Sequence, residues 1–135
     1  MNKQIFVNLP VSNLERSKAF FGSLGFSFNP EYTNEQAACM VVSDDIYVML
    51  LVRDFFQTFT PKPVADASKS TEVLVSLSCE SREKVDELVA TAVAAGGAVP
   101  RESQDHGFMY QHGFEDPDGH LWELVHMVAA PEERG

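Results

Sequence analysis

Apolar and polar positions along the chain fall into two successive rounds of one order. Residues 3 to 9 (KQIFVNL) read as a strand, and Ser12-Asn13-Leu14-Glu15 forms a capping box with the Ser12 hydroxyl expected at the N-cap. Leu14, Ser17, Phe21 and Leu24 recur at helical spacing, and Gly25 tolerates a left-handed C-terminal turn. Three short strands are expected next, over Phe26 to Phe28, Ala37 to Val42 and Ile46 to Val52, the last two joined at Ser43-Asp44-Asp45. The stretch Thr60 to Ser70, rich in Pro, Ser and Lys, breaks the periodicity. The order then begins again. Glu72 to Cys79 reads as a strand, and Ser81 caps a helix with the apolar stripe Val85, Leu88, Val89, Ala92 and Val93, stopped at Gly96-Gly97. Strands over Ala98 to Arg101, Phe108 to Phe114 and His120 to Met127 follow, with Asp116-Pro117-Asp118-Gly119 turning the last hairpin.

Element order repeating at an offset of about 70 residues predicts an α+β fold. Two paired βαβββ modules, about 1–60 and about 72–130 with a linker about 61–71, form a curved mixed sheet in one domain spanning 1–135. Strand parity separates a face that packs on helices from a face left free. In the first strand Ile5, Val7 and Leu9 share the helix side, leaving Gln4, Phe6 and Asn8; in the fifth, Val73, Val75, Leu77 and Cys79 leave Leu74, Ser76 and Ser78. A curved sheet lined by the second sets is a small-molecule cup, since pockets combine apolar lining with a few oriented polar groups.

The last hairpin carries Glu123 inside an otherwise apolar strand, LWELV. A carboxylate there marks either a functional site or an exposed face. A two- or four-residue loop sets His112 opposite Glu123 and allows an acid/base dyad, whereas a type I turn with a left-handed Gly119 and a bulge sets Gly113 there. Pro117 and Gly119 favour the second register, in which Met109, Gln111 and Glu123 share the cup face while Phe108, Tyr110 and Phe114 pack with Trp122 and Leu124.

Twenty acidic residues against ten basic ones give a formal net charge of -10, which repels phosphate backbones and anionic lipid heads. Nucleic acid and membrane surfaces are therefore excluded as expected partners. Cys39 and Cys79 sit in apolar runs and read as inert core thiols. The N-terminus lacks a signal-peptide h-region and the longest apolar run, Ile46 to Val52, is too short to cross a bilayer, so a cytoplasmic location is expected. Among the four histidines, His106 beside Asp105 and a flexible Gly107 is the leading candidate for a functional imidazole.

Paired βαβββ modules, the opening VSNLERSKAFFGSLGF from Val11 to Phe26 and the closing FEDPDGHLWEL from Phe114 to Leu124 resemble the vicinal oxygen chelate superfamily. That superfamily includes glyoxalase I, bleomycin-resistance proteins, fosfomycin-resistance enzymes and extradiol dioxygenases. The stretch RESQDHGFMY from Arg101 to Tyr110 is also similar to a subgroup labelled predicted lactoylglutathione lyase. The resemblance implies a divalent metal held by His, Glu or Gln from the first, fourth, fifth and eighth strands. Those positions map onto Phe6, Met49, Leu74 and Glu123, so Glu123 alone retains a family ligand. Side chains of Phe, Leu and Met offer no oxygen or nitrogen, and no metal or other cofactor is expected.

The resulting expectation is a metal-independent, bleomycin-resistance-like protein that binds a small organic ligand in an apolar cup lined by Phe6, Asn8, Met49, Leu74, Ser76, Met109 and Gln111. The alternative is a lyase or isomerase of the lactoylglutathione-lyase type, in which Glu123 and a histidine such as His106 move protons, with or without a divalent metal on other ligands. The resemblance also implies a homodimer. Phe55, Phe56 and Phe59, clustered in a connecting segment, are expected to close the cup or be buried between subunits.

Overall fold

A computed structural model describes residues 2–128. Residues 129 and 130, assigned to the second module from sequence, lie outside the described residues. The chain separates into two compact units divided between Asp66 and Ala67. Strand pairing closes within each unit, so the expected curved mixed sheet is found as two four-stranded mixed sheets.

The first unit runs β1 (Ile5–Val11), α1 (Leu14–Ser23), β2 (Ser27–Phe28), β3 (Ala37–Ser43), β4 (Ile46–Val52) and a one-turn helix α2 (Arg53–Phe56). Its sheet order is β1-β4-β3-β2, with β1 parallel to β4 and the other pairs antiparallel. The N-cap of α1 is Asn13, whose side chain accepts from the Arg16 N–H at 3.0 Å. The Ser12 hydroxyl, expected in that role, instead accepts from the Arg16 guanidinium at 2.8 Å. The amide cap one residue later starts the helix at Leu14, and Leu14, Ser17, Phe20, Phe21 and Leu24 are all buried. Phe20 and Phe21 meet edge to face at 4.9 Å above Leu9, Val11, Val48 and Leu50 in the same core.

The second unit repeats the order with β5 (Leu74–Ser78), α3 (Arg82–Ala94), β6 (Gln104–Asp105), β7 (Met109–Glu115) and β8 (Leu121–Met127) in the sheet order β5-β8-β7-β6. Ser81 caps α3 as expected, accepting from the Lys84 N–H at 3.0 Å. Val85, Val89 and Ala92 are buried, Leu88 is half-buried and Val93 is exposed, so the packed stripe is narrower than the apolar pattern. The strand expected over Ala98 to Arg101 is reduced to one bridge between Ala98 and Glu115, and the edge strand forms later, at Gln104–Asp105. Pro100 has no N–H to donate to a ladder, which defers pairing past it.

The turn between β7 and β8 decides which side chains share a face. The Gly119 N–H donates to Asp116 O at 2.9 Å, and Gly119 takes a φ of 94°. A Cβ at 119 would also lie 2.9 Å from Ala67 O, so this glycine serves both the turn and the close passage of the chain at Ala67–Ser68. The resulting register pairs Gly113 with Glu123 and Phe114 with Trp122. Phe114 and Trp122 stack with centroids 6.3 Å apart, and with Tyr110 and Leu124 they form the buried face. Phe108, expected among them, is 51% exposed because it lies one residue before β7 begins. No described helix is long and apolar enough to cross a membrane.

Candidate functional site

Each unit carries a cavity on the free face of its own sheet. In the second unit a cavity of about 260 Å³ is walled by the apolar Leu74, Pro100 and Leu121 and by the polar Arg101, Glu102, Gln104, Gln111 and Glu123, among others. The parallel register of β5 and β8 sets Ser76 beside Glu123, and the Ser76 hydroxyl donates to Glu123 Oε1 at 2.6 Å. A charge-assisted bond of that length holds the carboxylate in one orientation. On its other side stands Gly113, where a Cβ would come within 2.5 Å of Trp122 O. The tight approach of β7 to β8 therefore demands glycine, and the missing side chain leaves room beside Glu123. Gln104 and Gln111 pair across β6 and β7, their amides 3.5 Å apart at the outer limit of a hydrogen bond.

The first unit has a cavity of about 520 Å³ lined by Gln4, Phe6, Asn29, Tyr32, Cys39, Tyr47 and Met49. Phe6 and Tyr47 are register partners and stack with centroids 4.8 Å apart at 11°, forming an aromatic wall. Cys39 lies opposite Met49, and burial pushes its thiol pKa up, so it stays protonated and apolar in character.

Of the residues expected to line a cup, Leu74, Gln111 and Glu123 come together in the second cavity, with Ser76 joined through its hydrogen bond. Phe6 and Met49 line the first, whereas the Asn8 amide turns back to donate to Phe6 O at 3.3 Å. Met109 pairs with Met127 and lies outside the cavity wall.

His106 is exposed and also outside that wall. The carboxylate expected to orient it, Asp105, is occupied by the Gly107 N–H at 2.9 Å and by Arg82 at 2.8 Å. The Gly107 bond, then the Arg82 bond, lowers the Asp105 pKa below its ordinary value. His112 pairs with Leu124, so strand alternation puts its side chain with Tyr110 and Phe114 on the face opposite Glu123. Both His112 ring nitrogens are buried without a hydrogen-bond partner among the described residues, and no His112–Glu123 dyad forms.

Sequence reasoning passed over Asp116, read only as a turn residue. It is buried, with Oδ1 accepting from the Asp118 and His120 N–H groups at 3.0 Å and Oδ2 from Trp122 Nε1 at 3.1 Å. The signal was present: an Asp opening a turn bonds the next backbone N–H groups, and a buried indole needs an acceptor. Arg101, Glu102 and Gln104 were missed because the strand was placed too early.

The residues at the expected metal positions do not fit a divalent cation. Phe6, Met49 and Leu74 supply no hard or borderline donor, so of the four positions Glu123 alone offers an oxygen, and no group of three or more His, Cys, Asp or Glu able to hold a metal occurs among the described residues.

The sequence matches the model of the Glyoxalase/Bleomycin resistance protein/Dioxygenase superfamily over residues 3–124. A hypothetical protein from S. aureus is similar at 30% identity and a TM-score of 0.79, over 93% of this chain and 94% of that one. A glyoxalase-related enzyme from Fulvimarina pelagi matches at 22% identity and 0.77, over 93% and 88%. A fosfomycin resistance protein from Listeria monocytogenes matches at 18% and 0.69, over 100% and 99%. The last two establish likeness of fold. No functionally curated relative matches the sequence.

Proposed function

The chain belongs to the Glyoxalase/Bleomycin resistance protein/Dioxygenase superfamily, and from that premise we propose that it binds a small organic molecule without metal, using Glu123 to receive a basic group on the ligand. The observation that supports this reading is the replacement of three of the four expected donors by Phe6, Met49 and Leu74, which leaves Glu123, oriented by Ser76 in the wall of the second-unit cavity, without companion metal ligands from those positions. Ser76 occupies Oε1 and leaves Oε2 for a cation. A hydrogen bond to a charged group contributes about 1.5–3 kcal/mol, roughly ten- to a hundredfold in affinity. The net charge of -10 draws cations toward the molecule at low ionic strength.

A lyase or isomerase activity draws less support, because it needs a proton carrier beside Glu123: His106 lies outside the cavity wall, and His112, although it contributes to that wall, is directed by strand alternation to the face opposite Glu123. Elemental analysis of protein purified without chelator tests the metal half of the proposal. Stoichiometric nickel, zinc or manganese overturns it. Thermal-shift screening with cationic and neutral aromatic metabolites tests the ligand half, with Glu123→Gln expected to abolish the shifts produced by amines while leaving the unliganded melting temperature in place. Amine shifts that survive Glu123→Gln overturn the role given to this carboxylate.

A further inference from the structure

We propose that the second-unit cavity takes a zwitterion, an amino-acid-like molecule whose ammonium meets Glu123 and whose carboxylate meets Arg101; this rests on the binding role just given to Glu123. Arg101 lines the same cavity as Glu123. The other described arginines are each held by an acceptor: Arg16 by Ser12, Arg53 by the carbonyls of Val64 and Ala65, and Arg82 by Asp105. Arg101 is bound to nothing among the described residues, although a chain with twenty acidic side chains offers many partners, including the adjacent Glu102. A guanidinium presents five donors in a planar fork that matches a carboxylate, so its unused valence at a cavity wall points to an anionic group on the ligand.

Opposite charges on one wall also select against simpler ligands. An amine without a carboxylate leaves Arg101 unmatched and feels its repulsion, and a carboxylate without an amine faces Glu102 and Glu123. The amides of Gln104 and Gln111, loosely paired at 3.5 Å, have donors free to reach the same carboxylate. Leu74, Leu121 and Pro100 supply the apolar surface for the side chain of the ligand.

Isothermal titration with three probes that share a phenyl group decides the matter: 2-phenylethylamine, 3-phenylpropionate and phenylalanine, against wild type, Arg101→Gln and Glu123→Gln. Phenylalanine is 2-phenylethylamine with an added carboxylate, so their affinity ratio isolates the Arg101 contact. Phenylalanine is expected to bind at least about fivefold more tightly than either single-charge probe at low salt, as an exposed bidentate pair allows. Arg101→Gln removes its advantage over the amine without weakening the amine, and Glu123→Gln weakens both. The melting temperature of Arg101→Gln stays at that of wild type, since no described residue depends on the guanidinium. Equal binding of the amine and phenylalanine, or an advantage that survives Arg101→Gln, overturns the zwitterion proposal and leaves the amine-binding role intact. Failure of all three probes to bind overturns both.

Discussion

Replacing Asp116 tests how the last hairpin is held in the register that exposes Glu123. The carboxylate is 5% exposed and accepts from the Trp122 indole N–H at 3.1 Å, while its other oxygen takes two backbone N–H groups at 3.0 Å. In Asp116→Asn the amide oxygen keeps the backbone pair, but an NH2 group now meets the indole N–H. One hydrogen bond is lost and two buried donors face each other, a cost of about 1–3 kcal/mol. Asp116→Ala removes all three bonds and is expected to cost about 3–5 kcal/mol, tempered by release from burying a charge. Trp122 is the one tryptophan in the sequence and is 1% exposed, so urea unfolding followed by its fluorescence reads this hairpin directly. Burial pushes the Asp116 carboxyl above its ordinary 3.8, against the opposing pull of His120 and of the N–H donors. The fold thus favours the protonated form, and that stabilisation is complete below 3.8 and lost as pH rises through the raised native value. The Asp116→Asn penalty therefore widens as pH falls from neutrality. An Asp116→Asn protein with the wild-type urea midpoint, or a penalty that shrinks toward pH 4, refutes the reasoning.

Gly113→Ala drives a methyl to 2.5 Å from Trp122 O, a backbone atom that cannot swing away, and is expected to lower stability by about 2–3 kcal/mol in urea unfolding; a neutral result breaks the close-approach argument. Asp105 is held low first by the Gly107 N–H and second by Arg82, so in Arg82→Gln its carboxyl, followed by NMR titration, rises toward 3.8 but stays below it. Stability from Asp105 is present above 3.8 and lost as pH falls through the lowered native value, and an unchanged titration in Arg82→Gln removes the ion pair from the account. Phe59 is 68% exposed and meets Phe55 edge to face at 5.2 Å, as an unpartnered aromatic pair suited to a subunit contact. Sedimentation is expected to show a dimer for wild type and a smaller mass for Phe59→Asp; equal masses eliminate this surface.

Local signals made most of the fold readable from sequence. Hydrophobic alternation and helical spacing located β1, α1, β3, β4, α3, β7 and β8 within a few residues, because each buries one face against a core and its pattern follows. The Pro117 and Gly119 pair predicted the Gly113–Glu123 register through backbone geometry alone. The failures occurred where packing or competing hydrogen bonds decide. Ser12 and Asn13 are both good caps, and the choice fell to Asn13 once Arg16 occupied the Ser12 hydroxyl. Ala98 to Arg101 has strand-like residues, yet Pro100 and the edge position postpone pairing to Gln104, which carries Arg101 and Glu102 to the cavity wall. His106 drew attention through its acidic neighbour, and nothing local foretells that Asp105 serves Arg82 on another element.

The two parallel strand pairs align the units internally and show where their chemistry diverges. Phe6 faces Tyr47 and Asn8 faces Met49 in the first; Leu74 faces Leu121 and Ser76 faces Glu123 in the second. Met49 and Glu123 thus occupy equivalent places, a thioether where the other unit has a carboxylate. The same backbone frame yields an aromatic wall of stacked Phe6 and Tyr47 in one unit and an oriented charge in the other. Apolar contact tolerates many shapes, whereas a fixed carboxylate discriminates by charge and geometry. If the proposed binding role holds, discrimination by charge is expected at the second-unit cavity, and substitutions at Met49 or Tyr47 in the first unit are expected to leave it unchanged.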